Sequence, residues 1–94
     1  MKYADKQCLR WAESILQEKG LQEWKIDFSP NNKGFGDEGL CLQDSKRIII
    51  HWQEGKPNYP LMLHEITHII TGSGHDSIFA HEYMKLVSEY FIVE

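Results

Sequence analysis

The sequence predicts a small α+β domain, a three-stranded antiparallel or mixed sheet with helices covering one face. Three observations carry that expectation. The 94 residues suffice for one domain, 1–94, with a modest core. Apolar residues recur with helical spacing at both ends of the chain and with strand-like patterning between them. The order helix, strand, loop, strand, strand, helix, helix packs naturally as two layers.

The first helix is expected over Ala4–Lys19, where Cys8, Trp11, Ala12 and Ile15 fall on one stripe. Gly20 supplies a stop, and Leu21 can pack back on the last turn. Trp24–Phe28 alternates, placing Trp24, Ile26 and Phe28 on one face of a half-buried strand. The stretch "SPNNKGFGDEG" is rich in turn formers and reads as a loop. "LCLQ" and "KRIIIHW" then form two strands about a tight turn at Asp44-Ser45, the second central or well covered. A further helix is expected over Leu61–Thr71, ended by "GSG". Asp76 or Ser77 can cap the last helix, which runs to about Ile92 with Phe79, Tyr83, Leu86, Val87 and Tyr90 as its stripe.

Composition narrows the function. A net charge of −4 and the absence of any Lys/Arg run argue against strong nucleic-acid binding. The opening "MKYADKQCLRW" lacks the apolar run of a secretory signal, and no apolar run is long enough for a membrane span. The expectation is a cytoplasmic chain. Cys8 and Cys41 stand far apart without CxxC spacing and read as buried thiols.

The chemistry concentrates in "HEITH". Residues i and i+4 share a helix face, so His64 and His68 can hold one metal ion. Glu65 lies about 100° round the helix, outside the coordination shell but within reach of a water on the metal. A catalytic zinc needs a third protein ligand and an open position. His75 is the expected third ligand, brought back by a reversal that Gly72 and Gly74 permit. His81, Glu82 and Glu89 are the other candidates for that place, and His51 and His81 read as structural or surface histidines.

"HEITH" followed by "GHDSIF" resembles the SprT-like zinc metallopeptidases. His64, Glu65 and His68 match the HExxH part of that family's pattern, His75 and Phe79 match its downstream histidine and phenylalanine, and "EYMKLVSEYF" looks like its closing helix. Asp76 stands where the family usually has glycine, and no Cys-rich ribbon follows. The resemblance implies a minimal zincin: N-terminal helix, three-stranded sheet, HExxH helix, closing helix. It also implies Zn2+ as cofactor and a protein or peptide substrate.

The expected reaction is hydrolysis of a peptide bond, with Glu65 as general base. Tyr83, Tyr59 and His81 are candidates to stabilise the oxyanion, Tyr83 also being a natural core residue. The strand "RIIIHW" is expected to offer its edge to an extended peptide. Three other readings stand beside this one: a zinc-containing interaction domain without catalysis, a protease acting on nucleic-acid-bound proteins, and a metal-free structural protein in which the histidines merely pack.

Overall fold

The computed structural model describes residues 1–31, 36–72 and 74–91 of the chain. It has three helices and a three-stranded mixed sheet: α1 (Tyr3–Glu18), β1 (Lys25–Pro30), β2 (Glu38–Leu42), β3 (Arg47–Trp52), α2 (Tyr59–Thr71) and α3 (Ser77–Tyr90). Element types and order match the sequence expectation. Of the loop expected between β1 and β2, residues 32–35 lie outside the described residues, as does the expected end of α3 at Ile92.

The sheet order is β1-β3-β2. β3 runs parallel to β1, with Ile26 opposite Ile48 and Phe28 opposite Ile50. β3 runs antiparallel to β2, with Gly39 opposite Ile50 and Cys41 opposite Ile48. The expectation that "RIIIHW" offers a free edge is therefore wrong. Both edges of β3 are consumed by ladders, as its nearly unbroken apolar run requires, and the sheet's edges belong to β1 and β2.

Strand alternation sorts the two faces. Ile48, Ile50 and Trp52 are fully buried on the inner face, with Trp24, Ile26 and Phe28 on the same side. The outer face carries Asp27 in an ion pair with Arg47, and His51, whose Nδ1 lies 3.3 Å from the Ser29 carbonyl oxygen. On the inner side the sheet meets Cys8, Ala12, Ile15 and Leu16 of α1, Met62, Leu63, Ile66 and Ile69 of α2, and Leu86 of α3 in one hydrophobic cluster. Cys8 is buried and Cys41 half-buried, both as free thiols.

The helix ends follow local chemistry. α2 begins two residues before the expected Leu61. The Asn58 side chain accepts from the Leu61 amide at 3.0 Å, and Pro60 sits in the first turn, where its missing N–H costs nothing. Gly72 ends α2 in the left-handed conformation at φ 63°, and its amide donates to the His68 carbonyl at 2.8 Å. Gly74 has no left-handed φ, so of the two glycines expected to permit the reversal, Gly72 takes the left-handed step. Asp76 is the cap of α3, accepting from the Phe79 amide at 2.9 Å. That places a carboxylate side chain where the resemblance led one to expect glycine. No helix of the described residues is long and apolar enough to cross a membrane.

Candidate metal centre

α2 is buried along the Leu63, Ile66 and Ile69 side, which fixes its rotation against the sheet. Once that side faces inward, His64 and His68 stand together on a partly exposed flank, and their rings meet edge to face at 4.9 Å between centroids. The reversal at Gly72 returns the chain so that His75 lies 4.8 Å, ring to ring, from each of them. His64, His68 and His75 offer ligand atoms that all fall within 4.8 Å of one another, and these three residues could hold a metal ion.

The spacing suits a small tetrahedral cation. Two nitrogens on one zinc, each bonded at about 2.05 Å, stand about 3.3 Å apart. The shortest separation here, His75 Nε2 to His64 Nε2 at 2.9 Å, and the 4.8 Å limit on the group bracket that value. Burial and the neighbouring His68 and His75 push the His64 pKa down. Neutral imidazole is also the form that ligates metals.

Phe79 holds the group together. It is buried, and its ring centroid lies 4.9, 4.6 and 5.0 Å from those of His64, His68 and His75. One ring from the first turn of α3 thus braces all three imidazoles. The Asp76 cap fixes that first turn, because it bonds the amide of Phe79 itself. Gln43, just past β2, donates to the His68 carbonyl at 3.0 Å and ties the end of α2 to the sheet.

Glu65 is buried to 3% exposure, and its Oε2 lies 4.0 Å from His64 Nε2. Burial raises its pKa, an effect opposed by the neighbouring His68. The carboxylate borders a cleft of about 630 Å3, whose walls include Gly39 and Leu40 of β2, Leu61 and His64 of α2, and Tyr83 of α3. A smaller hollow of about 280 Å3 continues past Glu65 to His68, His75 and Cys41.

The remaining sequence candidates separate from this centre. Glu89 pairs with Lys19 at 3.1 Å, Glu82 pairs with Lys85 at 3.9 Å, and His81 is exposed on α3. Among the described residues none of the three joins the histidine group. Tyr59 packs its ring on Trp11 at 4.8 Å, on the α1 side of α2. Tyr83 stacks on Phe79 at 6.2 Å and also lines the cleft, so the core and cleft readings of this residue both hold.

Sequence reasoning missed two residues of this neighbourhood. Gln43 carries no signal, because its partner is a carbonyl 25 positions away. Gly39 falls in the stretch read as loop, yet it lies inside β2, where an isolated glycine marks a close approach of another group. Compared with protein-family models, with curated proteins and with solved structures, the chain matches none.

Proposed function

We propose that this chain is a zinc-dependent peptidase of the SprT-like, minimal-zincin type. One observation carries the reading: three imidazoles converge at ligand spacing, and a buried carboxylate adjacent in sequence lines the same hollow. A site that only held metal for stability has no use for Glu65 in that place.

His64, His68 and His75 would hold the zinc, a three-ligand set of the kind catalytic zinc uses. A zinc held there would supply Lewis acidity to a water and to the scissile carbonyl. Glu65 would accept the proton of the attacking water, and the burial that raises its pKa suits a base that must later act as an acid. It then returns the proton to the leaving amine. Tyr83, which lines the cleft beside His64 and Glu65, would be the group to stabilise the developing oxyanion. β2 is an edge strand beside the cleft, so its backbone is the surface along which an extended peptide would lie.

The test has two parts. Metal content by mass spectrometry should give one zinc per chain for the wild type and less for His75→Ala. Cleavage of an unfolded protein should then disappear in Glu65→Gln while zinc is retained. A chain that binds zinc but cleaves nothing is a metal-containing interaction domain; a chain that binds no zinc has neither role.

A further inference from the structure

Gly39 is a glycine without a conformational reason. It lies in the interior of β2, paired with Ile50, and its φ is outside the left-handed region. Any side chain fits such a backbone, and glycine weakens a strand. The cause is across the cleft. A Cβ built on Gly39 would sit 2.7 Å from Glu65 Cγ, 2.8 Å from Cδ and 2.8 Å from Oε2. No carbon tolerates three such contacts, so the Glu65 side chain occupies the space that a residue-39 side chain would fill.

We propose that Gly39 is the positioning residue for Glu65: the bare strand backbone at 39 is the wall against which the carboxylate is laid. The neighbours on the same face agree. Cys41, two residues on, faces α2 with a real side chain and borders the hollow that leads to His68. The gap in the strand's inner face is thus local to the position opposite Glu65. An added methyl group would meet the Glu65 side chain from Cγ outward rather than backbone, so the sheet would stay closed and the whole Glu65 side chain would have to rotate away from β2. The three imidazoles would keep their places, because Phe79 and α3 hold them from the other side.

The catalytic half of this inference rests on the peptidase reading; the contact itself does not. The experiment therefore has two readouts on Gly39→Ala, Glu65→Ala and the double variant. The first is thermal melting. A glycine-to-alanine change at a compatible backbone position stabilises by restricting the unfolded chain. In the Glu65→Ala background, Gly39→Ala should raise the melting temperature by about 2–5 °C. With Glu65 present, the same change should give no gain or a loss. Equal shifts in both backgrounds overturn the proposal, whether or not the wild type cleaves anything.

The second readout is turnover with zinc bound. Gly39→Ala should keep one zinc per chain and KM within about twofold, while kcat falls at least about tenfold, the pattern of a lost transition-state interaction. An unchanged kcat, or a loss confined to KM, overturns the positioning role. A wild type that cleaves nothing sinks the peptidase reading, and the melting comparison then decides the Gly39–Glu65 contact by itself.

Discussion

Among the described residues two carboxylates are buried, and they are treated in opposite ways. Asp5, in the first turn of α1, has no exposed surface. Its oxygens accept from Trp52 Nε1–H at 2.7 Å, from the Gly55 amide at 3.0 Å on each oxygen, and from the Lys2 amide at 3.3 Å. Glu65 is 3% exposed, lies 4.0 Å from an imidazole, and rests against a strand backbone stripped of its side chain. Asp5 is saturated with donors, so its burial joins α1 to the end of β3 and to the turn after it. Glu65 keeps its oxygens toward a cleft and a histidine cluster. Burial alone does not mark a chemical group; a buried carboxylate whose hydrogen-bonding capacity is held open toward a cleft does.

The contrast breaks if the two sites respond alike to mutation. The largest effect is expected for Glu65→Gln. Loss of a general base should reduce cleavage about 100- to 10,000-fold, with melting unchanged and zinc retained. A collapse in melting temperature would show that Glu65 is structural after all. His75→Ala should come next. It removes a ligand, so zinc affinity measured by competition with a chelator should fall by more than the roughly 10- to 100-fold that loss of a supporting group costs. His75 is exposed, so the zinc-free protein should melt as before.

Asp5→Ala tests the other half. It leaves the Trp52 and Gly55 donors buried or half-buried without their acceptor, at a cost of about 3 kcal/mol. For a chain of this size that lowers the melting temperature by about 10–20 °C. Zinc binding to whatever fraction stays folded should be normal. A mild melt with lost zinc would reverse the two assignments.

A pH prediction sharpens the Asp5 side. Burial, with a contribution from the Asp5 charge, pushes the Cys8 thiol up to about 12. In the unfolded chain the thiol ionises near its ordinary value of about 8.5. Between those values the native state keeps a proton that the unfolded state has lost, so stability falls as pH rises from about 9 toward 12. Denaturant midpoints across that range should drop more steeply for the wild type than for Cys8→Ala. The smallest effect is expected for Glu89→Gln. It breaks the partly exposed pair with Lys19, which should cost less than about 1 kcal/mol and leave zinc stoichiometry untouched. Loss of zinc there would return Glu89 to the ligand set.

Much of this was legible in the chain itself. Period-3.6 and period-2 patterns located all six elements, with boundaries shifted by one or two residues where a cap decided the end, as Asn58 and Pro60 do for α2. His64 and His68 were readable as a pair because an i, i+4 spacing fixes side-chain direction within one helix. Strand order was not readable, because pairing partners are chosen by burial of whole faces. The apolar run of "RIIIHW" did point to the central place it takes, but which strands flank it, and so that neither of its edges is left for a peptide, was settled only by the packing.

What the sequence by itself determined is everything that depends on neighbours along the chain: the helices, the strands, the cap at Asp76 and the two histidines on one turn-separated face. Only the tertiary structure decided the relations that span the fold. It brought His75 rather than Glu89 to the pair, laid Phe79 across all three imidazoles, set Trp52 over Asp5 and emptied the strand at Gly39 to admit Glu65. The reason is one of range. Backbone periodicity acts within a few residues, whereas a contact between positions 39 and 65 exists only after the sheet and α2 have packed, and no pattern in either segment alone encodes it.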